Sequence, residues 1–246
     1  MYDIHCHILP GLDDGSASMS DSIKMAISAV QSGTTSIICT PHVSSDKPYD
    51  TENVRSVRDS LSETLETGGI PLKLHTGQEV MVGENYREIP SMLKSGKLLT
   101  LAHSGYVLIE FPLNTDFSII EKTTAHIVSK GYVPIIAHPE RYEASRDRVC
   151  IPILKSQGAL IQVNKGSLKG SFGHSVQENA HFILKHHLAD FVASDAHSPT
   201  HRTPALNNVY DAIVGMYSAD YADRLMNRNP QKILRNIKIN PDKYRE

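Results

Sequence analysis

The sequence predicts an α/β fold, with a parallel sheet flanked by helices and either closed as a barrel or doubly wound. Two observations carry that reading. Short β-branched or aliphatic runs alternate seven times with stretches of helical periodicity, the pattern of a parallel sheet with crossover helices. Six of the seven runs also end in residues able to bind a metal, and in a barrel the carboxyl ends of the strands converge on one face. A chain of 246 residues fits the ~200–250 residues that α/β barrels occupy as one domain. No repeat, linker or low-complexity segment divides it, so 1–246 reads as a single domain with a polar tail from about Ile239.

The first strand is residues 2–5, and it delivers His5 and His7 before the chain breaks at Pro10-Gly11. At i and i+2 in extended backbone the two imidazoles project from one side, half of a transition-metal site, while Cys6 points the other way. Ser20 is the expected cap of a helix striped by Ile23, Ala26, Ile27 and Val30 and ended by Gly33. Residues 35–40 (TSIICT) form the second strand and lead into Pro41-His42. A helix carrying Val54, Val57, Leu61 and Leu65 follows a polar loop, and the third strand, 71–76 (PLKLHT), runs into Gly77-Gln78-Glu79. Helical periodicity at 86–94 is interrupted by Pro90.

The fourth strand, 106–111 (YVLIEF), carries Glu110 at its exit, and a helix over 116–130 follows. The fifth, 132–137 (YVPIIA), leads to His138, Glu140 and Arg141, then to a helix over 147–157. The sixth, 159–163 (ALIQV), ends in Asn164, Lys165 and Ser167 with no metal ligand; a helix over 176–187 precedes the seventh, 190–193 (DFVA), which exits into Asp195 and His197. Thr203-Pro204 is expected to open one further helix and Asn229-Pro230 another.

Composition excludes several classes. A formal net charge of −2 gives no general surface for nucleic acid or membrane. No apolar run approaches the ~18 residues of a membrane span, and the start lacks a signal-peptide pattern. Cys6, Cys39 and Cys150 form no CxxC pair and no even framework, which suits a reduced, cytoplasmic setting. None has an arginine six positions on, since those positions hold Leu12, Ser45 and Ser156, so a thiol-based tyrosine phosphatase has no support.

The motifs DIHCHILPGLDDG (3–15), TPH (40–42), GQE (77–79), LIEFP (108–112), AHPER (137–141), GSLKG (166–170) and ASDAH (193–197) together resemble the polymerase-and-histidinol-phosphatase (PHP) superfamily. Within it they are most similar to the bacterial tyrosine-protein phosphatases of capsule and exopolysaccharide operons. The resemblance covers residue 3 to about 234. It implies a distorted seven-stranded (β/α) TIM-like barrel holding three divalent metal ions, usually Mn2+, with Fe, Zn, Co or Mg as substitutes. It assigns His5, His7, Glu79 and Asp195 to one metal, Glu79, Glu110 and His138 to a second, and Asp14, His42 and His197 to a third. Asp14 and Glu110 stand where many superfamily members have histidine, and they shift the site toward harder metals. The implied substrate is phosphotyrosine on the C-terminal tail of a bacterial tyrosine kinase that regulates polysaccharide synthesis.

The chemistry follows from the residues. Metal binding lowers the pKa of water from 15.7 toward ~7, and surplus positive charge on the centre suits a phosphate dianion. Arg141 and Arg202 lie just past His138 and His197, where planar guanidinium forks can clamp phosphate oxygens as substrate-binding and catalytic groups. Asp13 reads as a turn former, Glu140 as a surface group or a support behind the ligands, Cys39 as core, and Lys165 and Ser167 as substrate contacts or plain loop. The rival functions are a small-molecule phosphatase such as histidinol-phosphatase, an eight-stranded amidohydrolase with a carboxylated lysine where this chain has Glu110, and a non-catalytic, metal-stabilised binding module.

Overall fold

A computed structural model describes residues 1–47 and 50–240. Part of the loop after His42 (48–49) and most of the expected polar tail (241–246) lie outside the described residues. Among the described residues there are nine strands: β1 (Tyr2–Cys6), β2 (Ser36–Cys39), β3 (His42–Ser44), β4 (Lys73–Thr76), β5 (Glu79–Met81), β6 (Tyr106–Glu110), β7 (Val133–Ala137), β8 (Leu160–Asn164) and β9 (Phe191–Ala193). The helices are α1 (Met19–Gln31), α2 (Thr51–Thr67), α3 (Ile89–Ser95), α4 (Phe117–Ser129), α5 (Cys150–Ser156), α6 (Lys165–Leu168), α7 (His174–Lys185), α8 (Asn207–Met216), α9 (Ala219–Asp223) and α10 (Asn229–Leu234).

Every pairing between these nine strands is parallel. One sheet has the order β1-β2-β4 and the other β3-β5-β6-β7-β8-β9. The second and third expected strands, 35–40 and 71–76, are β2 and β4 of the first sheet, and just past each of them the chain forms a further short strand, β3 and β5, in the second sheet. Pro41 lacks the N–H that would continue β2 into β3. Between β4 and β5, a Cβ on Gly77 would stand 2.9 Å from Ile38 and from Leu101, and Gln78 turns its Oε1 to accept from Leu99 N at 2.8 Å. The two sheets meet again at an isolated parallel bridge between Cys6 and Ala196. There Asp195 N donates to His5 O at 2.9 Å, and His7 N to Ala196 O at 2.9 Å.

Alternation along the strands divides the core. Val107, Ile109, Ile136, Ile161 and Val163 pack outward against α4, α5 and α7 through Ile120, Ile127, Leu154 and Ile183. Ile37 and Leu74 meet α1 and α2 through Met25, Ala26, Ala29, Leu61 and Leu65. Ile4, Ile38, Leu108, Ile135, Ala137, Leu160, Phe191 and Ala193 pack together on the opposite, inner face of the strands. Residues two positions further along β6, β8 and β9 (Glu110, Gln162, Asn164 and Asp195) continue that inner face, so a hydrophobic floor lies beneath a polar layer.

Several local expectations change. The cap of α1 is Ser18, in extended backbone, whose Oγ accepts from Asp21 N at 3.2 Å; Ser20 is already inside the first turn. The buried face of α1 is Met25, Ala26 and Ala29, and Ile27 is exposed. Pro90 sits in the first turn of α3, where its missing N–H costs nothing, and a 3-10 turn precedes it. Thr203-Pro204 opens no helix, because Lys165 Nζ is held by the carbonyls of Thr203 and Ala205, which keeps that segment out of α8. Asn229-Pro230 lies at the start of α10, continuous with a π-helical turn over Arg224–Arg228. Ile239, where a polar tail was expected to begin, is buried, and its N–H donates to Tyr106 Oη at 2.8 Å.

Candidate metal centre

The nine metal ligands expected from the sequence all lie together above the hydrophobic floor. Glu79 is the hub. Its carboxylate oxygens stand 3.1 Å from His5 Nε2, 3.3 Å from His7 Nε2, 3.1 Å from His42 Nδ1 and 3.1 Å from His138 Nε2. Glu110 is 3.4 Å from both His42 and His138, and Asp195 is 3.4 Å from His5 and 3.5 Å from His7. Asp14 approaches His42 at 3.6 Å and His197 at 3.5 Å. Four groupings have the spacing of a cation site: His7, Asp14, His42 and His197; His5, His138 and Asp195; His5, His7 and Glu79; and His42, Glu79 and Glu110. His7 therefore stands beside Asp14, His42 and His197 as well as beside Glu79. The centre is buried except on one side, where the Asp14 side chain is 70% exposed and His42 32%.

Two of these side chains reach the centre through strained backbone. Ile135 and Ala137 face inward, so strict alternation would send His138 outward; its left-handed conformation (φ 33, ψ 52) turns it in. Asp195 likewise has φ 49. Positive φ costs a non-glycine residue about 1–3 kcal/mol and persists where the surroundings over-determine it.

The hydrogen bonds behind the ligands fix which ring nitrogens face inward. Asp195 Oδ2 accepts from Asn164 Nδ2 (2.5 Å), Asn164 Oδ1 accepts from Gln162 Nε2 (2.8 Å), and Gln162 Oε1 faces His5 Nδ1 (2.9 Å). A carboxylate only accepts, so the direction of the whole chain is set and His5 carries its proton on Nδ1. Asp13 Oδ2 does the same for His7 Nδ1 at 2.7 Å and also accepts from His42 N at 2.8 Å. Both Nε2 atoms then present lone pairs, yet they lie only 3.1 Å apart, and two lone pairs cannot bond one another. Beside them Glu79 Oε2 and Glu110 Oε2 are buried with no hydrogen-bond partner among the described residues. Inward lone pairs with orphaned carboxylate oxygens fit divalent cations.

Without cations, protons take that place. Burial lowers the His5 imidazole, but Glu79 and Asp195 outweigh it and raise it to about 9. Burial likewise opposes, and Asp13 and Glu79 override, a rise of His7 to about 10. Burial, reinforced by Glu79, pushes Glu110 up to about 8. His197 is lowered to about 4 by burial and by His7.

The sixth expected strand, β8, supplies Gln162 and Asn164, which sequence reasoning did not single out. Tyr142 was also missed; its Oη donates to Ala137 O at 2.7 Å and accepts from Phe111 N at 3.1 Å, tying together the exits that carry Glu110 and His138. Asp13 does accept from Gly15 N at 2.9 Å as a turn former would, but it also orients His7. Glu140 is fully buried rather than on the surface, accepts from Asn164 N at 2.9 Å, and burial raises it to about 7. Lys165 is occupied by the Thr203 and Ala205 carbonyls. Cys6 and Cys39 are core residues, and burial raises Cys6 well above the usual thiol range and Cys39 to about 12.

Arg141 and Arg202 both reach Asp195 Oδ2, Arg141 through Nη1 at 3.9 Å and Arg202 through a direct Nη2 contact. Arg202 Nε also donates to Asp195 O at 3.2 Å. Both side chains remain partly exposed, so each fork keeps donors beside the centre.

The tyrosine-protein phosphatase YwqE of Bacillus subtilis (strain 168) is 40% identical over 201 residues, 80% of this chain and 78% of that protein. The tyrosine-protein phosphatase CpsB of Streptococcus pneumoniae is 29% identical over 245 residues, 95% of this chain and 98% of that one. A crystal structure from work on YwqE and CpsB, described as unique metal-dependent tyrosine phosphatases, superposes with a TM-score of 0.88 at 34% identity, covering 98% of this chain and 96% of that one. An organophosphorus hydrolase from Deinococcus radiodurans shares the fold alone, at 12% identity and a TM-score of 0.58 over 95% of this chain and 92% of that one. Residues 1–235 match the family described as capsular polysaccharide synthesis, CpsB/CapC. With the fold, the clustered donors and this match in agreement, the chain belongs to the CpsB/CapC family.

Proposed function

We propose that this protein is a metal-dependent phosphatase that hydrolyses phosphotyrosine, with three divalent ions, manganese in the native enzyme, held by His5, His7, Asp14, His42, Glu79, Glu110, His138, Asp195 and His197. The observation that carries the reading is the convergence of these nine side chains, lone pairs inward, with two arginines at their rim. The tyrosine-phosphatase names of its relatives supply the substrate class. Glu79, in contact with four imidazoles, would hold ions together with His5, His7, His42 and His138. We read the two sheets as one distorted ring of seven strand positions, supported by the Cys6–Ala196 bridge.

Bound ions supply a nucleophilic water of lowered pKa and neutralise phosphate charge. The protein does the rest. Asp13, Gln162 and Asn164 hold the ligands in the tautomer that binds cations. Arg141 and Arg202 take phosphate oxygens and stabilise the charge that develops as the P–O bond breaks. A tyrosyl leaving group has a pKa of ~10, so it asks less of a proton donor than an alkoxide does. The open side at Asp14 and His42 suits a phosphate presented on a protein tail, which enters in extended form.

The proposed partner is the tyrosine-bearing tail of a bacterial kinase that controls capsular polysaccharide synthesis, in keeping with the family description. The proposed location is the cytoplasm, supported by three buried, unpaired cysteines. Among the described residues no helix is long and apolar enough to cross a membrane.

The test compares phosphate release by the manganese-loaded protein from a phosphotyrosine peptide, a phosphoserine peptide and histidinol phosphate. The expected order places phosphotyrosine first. A kcat/KM at least tenfold higher on histidinol phosphate would replace this reading with a small-molecule phosphatase, and no turnover of any ester would leave a binding module.

A further inference from the structure

Phe172 lies against both arginines of the proposed clamp. Arg141 Cζ stands 4.6 Å from its ring centroid and Arg202 Cζ 5.8 Å. Both distances lie within the ~6 Å over which a guanidinium is drawn to an aromatic face. The same two guanidiniums share Asp195 Oδ2. Two like charges are thus gathered around one carboxylate and one ring, although Asp195 is also a candidate metal ligand whose charge is needed elsewhere.

The ring is itself held in place. A Cβ on Gly166 would stand 2.8 Å from Phe172 Cε2, so only glycine lets the ring come this close to the start of α6. The turn that carries it is bounded by Gly170 and Gly173, at φ +77 and +96, conformations that favour glycine. Phe172 is only half-buried, and packing a hydrophobic core does not account for it.

We infer that Phe172 is a positioning residue that fixes Arg141 and Arg202 as a single phosphate clamp. The ring gives both guanidinium planes a common backing, so their free N–H groups meet one phosphate rather than swinging separately into solvent. The inference rests on the assignment of the arginines to phosphate, but it does not require that phosphotyrosine be the substrate.

The test uses the manganese-loaded protein with inorganic phosphate as probe, measured by calorimetry, together with kcat and KM for p-nitrophenyl phosphate. Phe172→Leu is expected to weaken orthophosphate binding about tenfold, with metal content unchanged. It should lower kcat as well as raise KM, because the clamp acts on the transition state too. Phe172→Tyr, which keeps the aromatic face, should stay within about twofold of the parent. Gly166→Ala keeps the ring but displaces it, so it should reproduce part of the loss, and it decides the question if Phe172→Leu fails to fold or to hold metal. Unchanged orthophosphate affinity in the displaced-ring variant, or in a well-folded Phe172→Leu, overturns the inference. So does a loss confined to the aryl ester, which would make the ring a contact for the leaving group. A parent protein that binds orthophosphate but hydrolyses no ester would sink the phosphatase reading and leave this one standing.

Discussion

Asp13 occupies a position that a sequence reader passes over in favour of Asp14, yet it holds His7 by one oxygen and the backbone of His42 by the same one. Asp13→Asn keeps the shape but can place an amide N–H against His7 Nδ1, which forces the wrong tautomer. Metal affinity should fall about 10- to 100-fold, read by titration with a chelator; an unchanged affinity would mean that His7 needs no orienting partner. The arginines make a different kind of prediction. Arg141→Ala should lower kcat by more than about tenfold with full metal occupancy, because it removes charge stabilisation and not a ligand. Arg202→Ala should act in the same direction, more mildly, and parent-like kinetics in both variants would remove them from the mechanism. The nine candidate ligands were legible because His, Asp and Glu at strand exits are chemically conspicuous. Gln162, Asn164, Tyr142 and Phe172 were not, since neutral amides and aromatics occur everywhere and acquire a role only from what the fold sets beside them.

Among the elements, the order of strands and helices could be read from periodicity, but the points where they break could not. Pro41 and Gly77-Gln78 end two expected strands, and a short further strand in the other sheet follows each, because the chain must turn there toward the centre, a demand that comes from its neighbours. The false helix start at Thr203-Pro204 has the same origin: local preference there yields to the cation of Lys165. A second buried lysine joins elements far from the site. Lys155 of α5 donates to Asp190 Oδ2 at 2.5 Å, the same oxygen accepts from Ile161 N in β8 at 2.9 Å, and Asp190 O accepts from Asn229 of α10 at 2.9 Å. Asp190→Ala leaves a buried ammonium uncompensated and should cost about 3–5 kcal/mol, read as a shift in the urea midpoint, with kcat of the folded fraction unchanged. Lys155→Met combined with Asp190→Ala should recover part of that loss. A double variant no better than the single one would mean that the pair matters for its backbone bonds instead.

For the molecule as a whole, the centre couples stability to pH with a sign that metal reverses. In metal-free protein His5 and His7 titrate at about 9 and 10, above their ordinary 6.5, so the native state binds more protons than the unfolded chain across that window. The stability they contribute is complete below about 6.5 and drains away as pH rises through 9 to 10. Glu110, raised to about 8 from 4.5, acts with the same sign at lower pH. Cations displace these protons, so metal affinity should climb over the same range. Chelator-treated protein should therefore melt at progressively lower temperature from pH 6.5 to 9.5, while manganese-loaded protein should not. A metal-free Tm that is flat or rising would contradict the buried-proton picture. The joint between β1 and β9 carries a further consequence. Ser194 N donates to Asp3 Oδ1 across 191 positions of chain, and at ~5–20 residues per second a ribosome needs roughly 10–40 seconds to span that distance. Throughout that interval β1 waits as an open strand edge, a template for wrong pairing, and the nascent chain has only part of its ligand set. The candidate centre is thus incomplete until the last strand exit has been made, because Asp195 and His197 arrive together with the final partner of β1.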